Sequence, residues 1–107
     1  MEKIILFDHQ NNRFVELPQT LEERQNLVGA DNLECLRLNN NIDIWFDEEG
    51  FYNSQYYCKI TENGKTHCIH GPFFVASVND QGETIGLSPE QIAEFCRCGY
   101  TLYQKDK

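Results

Sequence analysis

His67-Cys68-Ile69-His70 and Cys96-Arg97-Cys98 are the two places in this chain where sulfur and imidazole gather closely enough to suggest a metal or a nucleophile. Structural zinc sites space their ligands roughly two to four residues apart around a knuckle. Here one residue separates Cys68 from His70 and Cys96 from Cys98. The second pair also falls in an expected helix, where positions i and i+2 diverge, so both thiolates cannot readily grip one ion. The cysteine count is five, an odd number, and no export signal is visible, so a disulfide framework is not expected either. Catalysis by Cys68 with His67 or His70 needs an orienting scaffold that a short hairpin does not supply. The nucleophile-elbow, phosphate-loop, dinucleotide and zinc-protease motifs are missing. These residues predict free thiols and ordinary histidines, with no metal, no cofactor and no enzymatic activity.

Two surfaces remain. Asp43, Asp47, Glu48 and Glu49 form the densest charge feature, in a chain with 17 acidic and 9 basic side chains and a formal charge of -8. That balance argues against direct nucleic-acid binding, which needs a basic face, and fits steering toward a basic partner. Consecutive carboxylates do not repeat the alternating ligand spacing of a calcium loop. The second surface is aromatic: Trp45, Phe51, Tyr52, Tyr56 and Tyr57. Tyr and Trp anchor interfaces because they bring large area at small entropy loss. Tyr56 and Tyr57 are adjacent, so in a strand they point to opposite sides. An exposed aromatic beside Asn53, Gln55 and Lys59 also suits a pocket that stacks a base and bonds its edge.

The elements that must position these groups are legible in outline. Lys3–Phe7 and Arg13–Leu17 flank turn chemistry at residues 8–12 and predict an N-terminal hairpin over 1–17. Thr20-Leu21-Glu22-Glu23 is a capping box opening a helix to Val28, with Leu21 and Val28 on one face and Gly29 at its end. Leu33–Leu38 and Ile42–Phe46 flank three asparagines. In the second run Ile42, Ile44 and Phe46 face one way, while Asp43, Trp45 and Asp47 face the other, which reads as outward. Asp47-Glu48-Glu49-Gly50 reads as a turn. Asn63-Gly64 predicts a tight hairpin between Tyr57–Thr61 and Thr66–Ile69. Gly71-Pro72 breaks the chain before Phe73–Val78. Ser88-Pro89-Glu90-Gln91 is a second capping box, opening a helix with Ile92, Phe95 and Cys96 buried and Gly99 as its stop. The tail, 100–107, adds a short strand.

The expected architecture is a single small α+β domain over 1–107. Its antiparallel, curved sheet has about six or seven strands and is accompanied by about two short helices. The longest apolar run near the N-terminus, Ile4–Phe7, is too short for a signal or a span, so no membrane association and a cytoplasmic location are expected. A homodimer through a terminal edge strand is a possible assembly.

Leu27-Val28-Gly29 after an acidic helix, the strand Leu33–Leu38 and the run Trp45-Phe46-Asp47-Glu48-Glu49-Gly50 follow one another in a distinctive order. After them come Asn53, the glycine-led strand Gly71-Pro72-Phe73-Phe74-Val75, the turn Asp80-Gln81-Gly82-Glu83 and Leu87-Ser88-Pro89-Glu90-Gln91-Ile92. Over residues 20–97 this order resembles the domain-of-unknown-function family 3846. The chain departs from the family pattern where Phe51-Tyr52 and the Asn63-Gly64 hairpin stand. The resemblance implies a small protein of phages and other mobile elements, with no enzymatic role to transfer, whose setting suggests interference with host defence. The expected function is therefore a non-enzymatic anti-defence protein. It binds and blocks a host immune component through Asp43, Trp45, Asp47, Glu48, Glu49, Tyr52 and Tyr56. The alternative is a sponge for a nucleotide immune signal, held by Trp45, Asn53, Tyr56, Arg37, Lys59 and Arg97 at an oligomer interface. An enzyme degrading such a signal, using His67, His70 or Cys68, is a third reading.

Overall fold

The computed structural model describes residues 2–8, 12–62 and 64–97, and the backbone alone of 99–104. Met1, the first-turn residues His9, Gln10 and Asn11, Asn63 of the second turn, Cys98 and the last three residues lie outside that description.

Local chemistry forms the first elements as expected. Strands β1 (Lys3–Phe7) and β2 (Asn12–Glu16) pair antiparallel, with Ile5 opposite Phe14. Helix α1 (Leu21–Val28) starts at Thr20, whose hydroxyl accepts the Glu23 amide at 3.1 Å, and closes on Gly29 in the left-handed region at φ 78°. Strands β3 (Leu33–Arg37) and β4 (Ile42–Asp47) form a hairpin. Asn40 and Asn41 turn it at φ 61° and 59°, a conformation asparagine tolerates better than most residues.

Helix α2 (Gly50–Asn53) follows, then β5 (Tyr56–Glu62), β6 (Lys65–His70), β7 (Phe73–Val78), β8 (Thr84–Ile85), α3 (Pro89–Arg97) and β9 (Gly99–Gln104). The class is α+β with antiparallel pairing throughout. The described residues form nine strands and three helices, more than expected. The additions have local causes. Gly50 opens a helical turn rather than only a loop, β8 is a two-residue pairing, and the tail forms a full strand on β5.

There are two sheets. The larger runs β2-β1-β7-β4-β3, and the smaller runs β6-β5-β9. β7 is central, with β4 along one edge, so β1 and then β8 share the other. Every residue of β7 is buried. Alternation sorts the side chains into two cores, one on each face of the larger sheet. Ile5, Phe7, Ile44, Phe73 and Val75 meet Cys58, Ile60 and Ile69 of the smaller sheet and Phe95 of α3. Ile4, Leu6, Phe74 and Ala76 meet Leu17, Val28 and Ala30, with Leu27, Leu33 and Trp45 packed alongside.

Three expectations change here. The face of β4 carrying Asp43 and Trp45 is covered, because both faces of the larger sheet hold a core. Leu21 is exposed, since the apolar contacts of α1 gather at Leu27 and Val28 in its last turn. Cys96 is exposed, and α3 buries Phe95 fully with Ile92 beside it. No helix among the described residues is long and apolar enough to cross a membrane.

Candidate functional site

The hairpin turn at Asn40 and Asn41 sets a register in which Arg37 lies opposite Asp43 and Cys35 opposite Trp45. All four side chains line one recess of about 590 Å³ on the α1 side of the larger sheet, with Gln19, Arg24 and residues 82–84 completing its rim.

Asp43 is 1% exposed, a position that requires a partner for an ionised carboxylate. Arg37 supplies it. Its Nε donates to Oδ1 at 2.8 Å and Nη2 to Oδ2 at 3.1 Å, a bidentate pair whose cationic end stays in water. The hydrogen bond to Asp43 pushes the Arg37 pKa still higher, so the guanidinium stays charged. Cys35, exposed as a residue, has a thiol partly withdrawn from water. That withdrawal, reinforced by the charge and hydrogen bonding of Asp43, pushes the thiol up to about 12. A thiol held neutral in this way is a poor nucleophile.

Trp45 is half-buried, not an outward anchor. Its ring lies at 15° to that of Phe74 with centroids 6.2 Å apart, and the Arg24 guanidinium sits 5.5 Å from its centroid. Arg24 Nε and Trp45 Nε1 are both sealed from water with no acceptor in reach.

The second site is the turn from β4 into α2. Asp47 braces it, its Oδ1 accepting the Glu49 amide at 2.9 Å and its Oδ2 accepting the Asn53 side-chain amide at 3.1 Å. Gly50 sits so tightly on β6 that a Cβ there would lie 2.1 Å from the His70 carbonyl oxygen. The Phe51 ring meets the His70 ring edge-to-face at 5.1 Å, and Tyr52 packs on Phe51 at 5.4 Å. Glu48 and Glu49 are exposed, Phe51 is 62% exposed and Tyr52 85%. Two large aromatics and two carboxylates therefore stand on a braced knuckle.

The structure thus divides the expected acidic and aromatic face. Glu48, Glu49 and Tyr52 share the knuckle, with Asp47 beneath them as a brace. Asp43 and Trp45 belong to the recess, and Tyr56 is half-buried in β5, where Ser54 Oγ accepts its amide. Of the expected ligand residues, Arg37 and Trp45 share the recess. Asn53 is held by Asp47, Lys59 and Tyr56 lie in the smaller sheet, and exposed Arg97 ends α3. The smaller sheet and α3 pack on the face opposite the recess, so these six do not converge. Among the described residues no group of three or more His, Cys, Asp or Glu is placed to hold a metal ion.

Sequence reasoning did not select Arg24, Gln19 or Thr84, which reach the recess only through tertiary packing. The Arg37–Asp43 pair did carry a signal, because the two residues are equidistant from Asn40 in a hairpin.

The fold defines a class, a small antiparallel α+β domain whose larger sheet is buried on both faces. The family model of DUF3846, a domain of unknown function, matches residues 1–98, and the chain belongs to that family. The match takes in the β1–β2 hairpin, which the motif order over 20–97 does not reach. No curated protein and no solved structure matches the chain.

Proposed function

We propose that this chain is a non-enzymatic anti-defence protein of mobile-element type, acting in the host cytoplasm by occlusion. It docks on a host immune component through the α2 knuckle and covers that component's nucleic-acid groove. The observation that supports this reading is the braced display of Phe51 and Tyr52 next to Glu48 and Glu49. Exposed aromatics held in place lose little entropy on docking and fill partner pockets. Glu48 and Glu49, in a chain of charge -8, steer the encounter toward a basic partner. The docking set is Glu48, Glu49, Phe51 and Tyr52.

The test is binding to a panel of purified host defence nucleases across a salt series. We expect Tyr52→Ala to weaken binding at least about tenfold, and Glu48→Lys with Glu49→Lys to slow association and flatten its salt dependence. Affinity indifferent to all three substitutions would overturn the reading.

A further inference from the structure

The recess under α1 has a surplus of donors. Arg24 Nε and Trp45 Nε1 are both N–H donors, both sealed from water, and neither has an acceptor. Two carboxylates, Asp43 and Glu83, line the same recess, and neither accepts from Arg24 Nε or Trp45 Nε1. Both oxygens of Asp43 accept from Arg37, and Oε1 of Glu83 accepts from Asn79. Among the described residues Arg24 forms no ion pair, so its charge is balanced by no carboxylate in contact. A buried donor without an acceptor is costly, and two beside one another in one recess mark a missing acceptor rather than a packing accident.

We propose that this recess binds a small oxyanion-bearing ligand, a phosphate or carboxylate group whose oxygens accept from Arg24 Nε and Trp45 Nε1. Arg24, on helix α1, rests on the Trp45 ring with its guanidinium 5.5 Å from the centroid, so the two donors belong to one packed pair. Arg37, Gln19 and Thr84, all residues with donor groups, also line the recess, the Gln19 amide donating as well to the Leu17 carbonyl at 3.1 Å. Phe74 and Arg24 already pack on the indole, so a ligand engages its N–H edge and does not stack on it. This inference is independent of the α2 knuckle.

Trp45 is the single tryptophan of the chain, so its emission reports this site alone. Sodium phosphate, adenosine 5′-monophosphate and malonate are titrated separately against sodium chloride at matched ionic strength. We expect a saturable change in emission with a dissociation constant near or below about 1 mM for at least one oxyanion. Arg24→Gln is expected to weaken it at least about tenfold, Arg24→Lys less, and Tyr52→Ala not at all. Thr84→Val, which leaves Arg24 and Trp45 in place, provides a second variant with a smaller loss. Response to malonate alone assigns a planar carboxylate; response to both phosphates assigns a phosphoryl group. No saturable change beyond chloride, or the same affinity in folded Arg24→Gln and Thr84→Val proteins, overturns the proposal.

Discussion

Arg37 closes on Asp43 with two parallel hydrogen bonds of 2.8 and 3.1 Å, yet the two side chains live in different media. The Arg37 side chain is 60% exposed and that of Asp43 2%. The pair joins the edge strand β3 to β4, and its worth depends on which partner is lost.

Removing Arg37 strands a carboxylate inside the sheet, whereas removing Asp43 returns a guanidinium to water. We expect Arg37→Ala to destabilise the fold, because it leaves a buried carboxylate without its partner. Asp43→Ala is expected to cost less, and the double variant no more than Arg37→Ala alone. Urea unfolding of the three proteins gives the coupling.

The Cys35 thiol, raised to about 12 from an ordinary value of 9.0, stays neutral at neutral pH. We expect iodoacetamide to modify exposed Cys68 and Cys96 first and Cys35 only slowly, as read by peptide mass spectrometry. The stability consequence has a definite sign. The folded thiol holds its proton more tightly than the unfolded one, so its contribution is complete below pH 9.0 and is lost as pH rises toward about 12. Cys35→Ala is expected to reduce the alkaline loss of stability over that window.

Gly50 tests the knuckle from beneath. A methyl group there meets the His70 carbonyl, a backbone atom, at 2.1 Å, so α2 must lift from β6. We expect Gly50→Ala to cost about 2 kcal/mol and to weaken partner binding alongside Tyr52→Ala. Thermal unfolding and the same nuclease panel check both effects.

Gln91 joins α3 to the hairpin turn. Its carbonyl oxygen accepts the Ser88 amide at 2.9 Å, and its Nε2 donates to buried Ser77 Oγ at 2.7 Å and to the Asn40 carbonyl at 3.0 Å. We expect Gln91→Ala to lower stability by about 2 kcal/mol, one lost bond leaving Ser77 unsatisfied. Chemical denaturation measures it.

What was legible followed from short-range chemistry. Thr20 with Glu23 and Ser88 with Gln91 announce their helices because each cap closes over three residues. The hairpins were equally open to reading, since β5 and β6 meet with Glu62 opposite Lys65 around the Asn63-Gly64 position. The role of Asp43 was not. Alternation put Asp43 and Trp45 on the face opposite Ile44, and an acidic strand face reads as solvated. Only the packing of Leu17, Leu27, Val28 and Ala30 against Phe74 turned that face into a second core.

By itself the sequence determined the α+β class, the main hairpins, the two capped helix starts at Thr20 and Ser88 and the surplus of negative charge, all properties of neighbours along the chain. The tertiary structure decided which acidic and aromatic residues remain on the surface. Burial depends on what covers a face, and the covering segments come from distant parts of the chain. It therefore buried Asp43 against Arg37, half-buried Trp45 beside Arg24, and left Glu48, Glu49, Phe51 and Tyr52 outside.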